Sequence, residues 1–122
     1  MKTTDIRIGN KEYTVQVAET EEERSIGLSK TKHLPEDEGM LFVFEDVIQE
    51  GWFTMEETSI DLDIIFIDEN GEVISVNSVK AFDPNPIEEE GYQYVLEVNI
   101  DSGIQEGDEL EEIDDEFSEE DK

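Results

Sequence analysis

Cysteine is absent from the 122-residue sequence, so no disulfide framework and no thiolate metal site can contribute to its stability or chemistry. Basic residues are almost as scarce: 8 Lys+Arg stand against 36 Asp+Glu, a formal net charge of −28 with a single histidine. Such a chain repels phosphate, which disfavours direct binding to a nucleic-acid backbone or an anionic membrane. No apolar run approaches the ~18 residues of a membrane span, and the first five residues, Met1-Lys2-Thr3-Thr4-Asp5, lack the apolar region of a signal peptide. A cytoplasmic or virion setting is the resulting expectation. There is no glycine-rich phosphate loop, no zinc-ligand spacing and no nucleophile elbow, so nothing points to a cofactor or to an enzyme.

What is present is acid spread over the whole chain. Residues 109–122 hold nine acids and one lysine, a net of −8, so −20 of the total belongs to residues 1–108. The charge leaves a basic partner, a solubility device or nucleic-acid mimicry as readings. Residues 1–110 are expected to form one domain and residues 111–122 an acidic disordered tail, because nine acids in fourteen residues resist compaction. Leu110, Ile113 and Phe117 are spaced by three and four, so the tail also has the pattern of a helical recognition segment that docks Ile113 and Phe117 on a basic, partly apolar partner.

The periodicity is that of strands. Residues 3–8 and 11–17 alternate around Gly9-Asn10, a two-residue hairpin signal. Thr20-Glu21-Glu22-Glu23 fits a capping box and predicts a short helix over residues 21–28. Apolar runs at residues 40–44, 52–55 and 62–67 predict strands, the last rich in β-branched residues. Asp68-Glu69-Asn70-Gly71 turns the chain into an alternating segment at 72–79. Its faint likeness to a calcium loop is explained by turn chemistry. Pro84 and Pro86 predict a loop over residues 83–91, after which residues 92–98 alternate again and residues 108–113 are in position to finish the sheet. Seven to eight strands and one helix make a mainly β protein, a compact sandwich or barrel.

Several blocks in order resemble the uncharacterised family known as domain of unknown function 192: Val17-Ala18-Glu19-Thr20 through Arg24 and Gly27-Leu28, Leu34 through Gly39-Met40-Leu41-Phe42-Val43-Phe44, Phe53 with Met55 and Thr58, Leu62-Asp63-Ile64-Ile65-Phe66-Ile67-Asp68, Tyr94-Val95-Leu96-Glu97, and Gly107-Asp108. The resemblance covers residues 15 to 110. It implies a small β-rich sandwich with a short helix and supplies no activity. Family members often carry a leader, whereas this chain begins almost at its first strand. Where the family usually reads Phe-Trp-Met-Lys-Asn-Thr, the sequence has Phe53-Thr54-Met55-Glu56-Glu57-Thr58, and Asp61 and Ser29-Lys30-Thr31 also depart from its pattern. If residues 53–58 form a family binding site, it is altered here.

Candidate site residues follow from chemistry. Asp61 and Asp63, two apart, would share one strand face and could hold a hard cation with Glu97 or Asn99. Asp63 lies inside an apolar run, where a buried carboxylate must be paired, so an ion pair of Arg24 with Asp63 or Glu97 is expected, either as a brace or to orient a ligand. Met40, Met55, Trp52 and Phe53 are core or the lining of an apolar pocket. His33 reads as a surface loop residue. Two functions follow: a non-enzymatic binding or accessory module that contacts a basic protein, with a phage structural protein or nucleic-acid mimic as a variant; or a small-ligand or divalent-metal pocket, with an enzyme as its variant, in which Met40, Met55, Asp63 and Glu97 converge with Arg24, Thr58 and Asn99 nearby.

Overall fold

In a computed structural model, which describes residues 1–113, the chain opens with the expected hairpin. Strands β1 (Lys2–Ile8) and β2 (Lys11–Ala18) pair antiparallel from Ile8↔Lys11 to Lys2↔Val17, and Gly9 at the turn takes φ +59°, a conformation natural to glycine. Thr4, Ile6 and Ile8 on one strand and Tyr13, Val15 and Val17 on the other are buried on a common face. Helix α1 (Glu21–Ile26) follows with both halves of its capping box formed. It stops at Gly27, φ +51°, two residues short of the predicted span, although Leu28 just beyond it is buried.

α1 and the segment after it form a crossover, which lets β3 (Glu38–Ile48) lie parallel to β2. The remaining strands are β4 (Gly51–Phe53), β5 (Leu62–Ile67), β6 (Val73–Val79), β7 (Ile87–Glu89), β8 (Tyr92–Asn99) and β9 (Leu110–Glu112). Seven of them make one sheet in the order β6-β5-β8-β3-β2-β1-β9, and β4 and β7 make a separate two-stranded ribbon. The far ends of the large sheet meet. Val73 N donates to Asp108 O at 2.9 Å, Gly107 N to Val73 O at 3.0 Å and Leu110 N to Gly71 O at 2.8 Å, so the sheet curls almost into a barrel.

The curl creates two cores. Ile6, Val15, Leu41, Ile65, Leu96 and Val98 fill its interior. Met40, Phe42, Leu62, Ile64, Phe66 and Val95 point the other way, into a second core that Leu28, Leu34, Phe53 and Met55 cover from outside. All six residues of β5 are therefore buried, which is why its sequence is a continuous apolar run instead of an alternation.

Three features differ from the sequence reading. There are nine strands among the described residues, the addition being β7, inside the expected loop. It begins directly after Pro86 and pairs only with β4, so the prolines stay outside any ladder. Trp52 is neither core nor pocket wall inside the fold but 62% exposed on that ribbon. Glu111 and Glu112, which the sequence reading assigned both to a last strand over residues 108–113 and to the tail, belong to that strand, β9, where Glu112 Oε2 accepts from Thr4 Oγ1 at 2.7 Å and Ile113 N donates to Asp5 O at 3.0 Å. Phe117, the other anchor of the proposed tail segment, lies outside the described residues. No helix among the described residues is long and apolar enough to cross a membrane.

Candidate ligand cleft over Glu97

Glu97 sits in the middle of β8, opposite Met40 of β3 and Ile64 of β5. Like Val95 two residues earlier, it faces the outer core. Where apolar side chains complete that layer elsewhere, here the sheet presents a carboxyl group. Two segments arch over it, the end of α1 with the residues after it, Arg24 to Ser29, and the chain from Phe53 to Thr58, and between them they leave a cleft of about 270 Å³ with Glu97 in its lining.

Glu97 as a residue is 6% exposed, and no described residue donates a hydrogen bond or offers an ion pair to its carboxyl; since no wholly buried side-chain oxygen among the described residues lacks a partner, that carboxyl reaches the open cleft. A buried carboxylate without a partner is held in its neutral form by the cost of desolvating charge. Burial accordingly pushes the Glu97 carboxyl from its ordinary 4.5 up to about 8. At neutral pH it is mainly a carboxylic acid, one proton away from being an anion.

The walls are aromatic and hydroxylic. Phe42 and Phe53 meet edge to face at 5.2 Å, and Phe53 meets Phe66 at 5.8 Å beneath them. A Cβ at Gly27 would stand 3.4 Å from Phe42 Cζ, an ordinary contact, so it is the positive φ that favours glycine where the chain passes over the ring. Ser25, Ser29, Thr54 and Thr58 add hydroxyl groups. Glu56 and Glu57 are exposed, and Glu56 N is fixed by Thr54 Oγ1 at 3.1 Å.

Arg24 lines the cleft without neutralising Glu97. Its Nη1 donates to Glu19 O and to Val43 O, both at 2.8 Å, and the guanidinium lies 4.6 Å over the Phe44 ring. The expected ion pair with Asp63 or Glu97 is absent; the side chain fastens α1 to β3 through backbone carbonyls instead. Val43 offers its carbonyl where the β3–β8 register shifts.

Asp63 is on the opposite face of the sheet from Glu97, as the inward Ile65 and outward Ile64 beside it require. Its Oδ1 accepts from Ser78 Oγ at 2.6 Å, and its Oδ2 accepts from Ser102 Oγ at 2.6 Å and Ser102 N at 3.0 Å. It is a brace, with serines instead of arginine as partners, and it holds the segment after β8 against β5. Asp61 accepts from Ala81 N at 2.8 Å and lies 3.7 Å from Lys80 Nζ. Among the described residues, no group of three or more His, Asp or Glu is placed to hold a metal ion.

The proposed convergence of Met40, Met55, Asp63 and Glu97 therefore does not occur. Met40 and Met55 are packed in the outer core, and Asn99 Nδ2 donates to Leu34 O at 2.6 Å. Of the candidates read from sequence, the structure brings Arg24, Phe53, Thr58 and Glu97 to one cleft. It adds Ser25, Ser29, Phe42 and Thr54, whose types carry no chemical signal by themselves. His33 is exposed. Three other depressions are larger. One, of about 370 Å³, crosses Thr4, Leu41, Tyr94 and Leu110, a second, of about 450 Å³, lies between Glu50, Trp52 and Glu90, and a third, of about 300 Å³, runs along Trp52, Pro84 and Pro86. None of them contains a buried acidic residue.

Comparison with known proteins agrees with this architecture. The chain is similar to a protein of Sinorhizobium meliloti 1021 described as a candidate transcription regulator, with 26% identity, TM-score 0.86, and 91% of this chain and 94% of that chain covered. It is also similar to a protein of unknown function from Novosphingobium aromaticivorans DSM 12444, with 26% identity, TM-score 0.83, and 89% and 84% covered. No curated protein matches. The profile of domain of unknown function 192, described as an uncharacterized ACR, matches residues 4–112, and Arg24, Gly27, Phe42, Phe53, Thr58 and Glu97, which carry the resemblance in sequence, all line the cleft. The chain belongs to that family.

Proposed function

We propose that the protein is a binding module for a small ligand, with the cleft over Glu97 as its site. One observation carries this reading: the carboxyl of Glu97, a residue only 6% exposed, has no hydrogen-bond partner among the described residues and lines an open cleft instead of packed core. Burying such a group costs several kcal/mol unless it is neutral or paired, and a side chain with only a packing role would be apolar. The cleft is slightly below the ~300–1,000 Å³ of drug-sized sites, which suits a ligand the size of a side chain. Amide NMR with a library of small fragments tests it. Binders that shift Ser25, Gly27, Thr54 and Thr58 support the reading; binders that all map to other surfaces would refute it.

A second reading, contact with a basic protein, is favoured by the β4–β7 ribbon. There Trp52, 62% exposed, pairs with Glu88 and stands among Glu50, Glu89 and Glu90. An exposed indole ringed by acids suits an arginine- or lysine-bearing surface through cation–π and charge contacts. Phage structural proteins or a nucleic-acid-binding partner are settings in which such a surface would serve. Capture from the native source at low and high salt, repeated with Trp52→Ala, tests it; capture insensitive to both would reject it. Direct duplex binding by a regulator is not adopted, because a charge of −28 opposes contact with DNA phosphate.

A further inference from the structure

We infer that the cleft takes a small organic cation, an ammonium or guanidinium group on an apolar body, and that Glu97 gives up its proton to solvent when that cation enters. The inference rests on the cleft being a ligand site and goes further by naming the ligand's charge and the proton it displaces.

The balance of charge around the cleft points to this sign. Three carboxyl groups line it, Glu97 deep within and Glu56 and Glu57 exposed. The cation facing them, Arg24, is spent on the carbonyls of Glu19 and Val43 and on the Phe44 ring. From β3 and β5, Glu97 meets the uncharged Met40 and Ile64. An anion would therefore meet acids and no free counter-charge, on a protein already at −28. A bare divalent ion is a poor fit, since it requires six or more oxygen ligands and Phe42 and Phe53 supply none. Those rings suit the apolar body of an organic cation and its cation–π contact.

The proton follows from the depth of Glu97. Empty, the site is cheapest with Glu97 neutral. A cation brought within hydrogen-bond reach favours the carboxylate, so binding converts –COOH to –COO⁻ and releases one proton to solvent for each cation bound. With the carboxyl at about 8 before binding, affinity should rise about tenfold from pH 6 to pH 7 and level off above pH 8.

The test is an amide NMR titration of the full chain with butylammonium and phenethylammonium chloride at pH 6, 7, 8 and 9, with phenethyl alcohol and phenylacetate as neutral and anionic counterparts. Calorimetry in buffers of different ionisation enthalpy accompanies it. The expected result is that the ammonium probes shift Gly27, Thr54, Thr58 and Glu97, with the stated pH slope and close to one proton released at pH 7. Glu97→Gln should abolish that slope and weaken binding at pH 8 about tenfold or more. Glu56→Gln with Glu57→Gln should weaken binding and leave the slope, a check that does not depend on altering the floor. If the alcohol or the carboxylate occupies the cleft as tightly, without proton release, the cation assignment is overturned while the cleft stands as a ligand site. If ammonium binding is scattered over surface acids and indifferent to Glu97→Gln, the assignment also falls. If no probe of any charge perturbs the cleft, both the assignment and the ligand-site reading are overturned.

Discussion

Replacing Glu97 by Gln should change how stability depends on pH more than it changes stability at any single pH. The folded state holds this carboxyl at about 8 against an ordinary 4.5, and each tenfold change in protonation preference is worth about 1.4 kcal/mol. The folded protein therefore binds one more proton than the unfolded chain between those two values. The sign follows: stability is greatest below about 4.5, falls as pH rises through the interval and stops falling above about 8, with a full loss of about 5 kcal/mol. A domain of this size has only about 5–15 kcal/mol in total. Gln removes the ionisation and keeps the shape, and every surface acid behaves alike in the two proteins, so subtracting their profiles isolates Glu97. Urea unfolding at pH 5, 6, 7, 8 and 9 should show wild type losing about 4 kcal/mol relative to Glu97→Gln across that range, whatever Gln costs at the start. Parallel profiles would refute the reasoning, since they would mean that the carboxyl ionises as freely as in water and that nothing encloses it.

Other expectations can be checked by the same unfolding assay. Ser102→Ala should cost about 2 kcal/mol, because it deprives the buried Asp63 carboxylate of one charge-assisted hydrogen bond at 2.6 Å. Gly39→Ala should cost about 1–3 kcal/mol, since the new Cβ would stand 2.5 Å from the Glu97 carbonyl oxygen and 2.8 Å from Val98 Cγ1, forcing β3 and β8 apart; an unchanged midpoint would show that the strands can separate freely. Added salt should raise the melting temperature, because screening relaxes the repulsion of 36 acids; coincident melting in 10 mM and 500 mM salt would show that repulsion does not limit stability.

The hairpin at Gly9-Asn10, the capping box at Thr20 and the turn at Asp68–Gly71 were legible in sequence because each is a local pattern with its own energetics. What the sequence concealed was parity. In a sheet covered on both sides, β5 and β8 lose the alternation that assigns a residue to a face, so Asp63 and Glu97 look alike although they point in opposite directions. The partners were hidden for a second reason. Arg24 settles on backbone carbonyls, and Asp63 on serines 15 and 39 residues away, neither of which charge complementarity can find. β7 was missed because three residues following a proline carry no periodicity, and the true length of β3 because Glu45 and Asp46 interrupt its apolar pattern.

The parallel pairing of β2 with β3, and the antiparallel pairing of β3 with a β8 that arrives some fifty residues later, give the molecule a high contact order. Such topologies pay loop-closure entropy before the contacts return it, and they fold on the millisecond-to-second scale. The cleft inherits this history: its parts come from the beginning, middle and end of the chain, and no early fragment holds them all. Occupancy would thus act as a reporter of completed assembly, with the ligand lending its binding free energy to the finished fold alone.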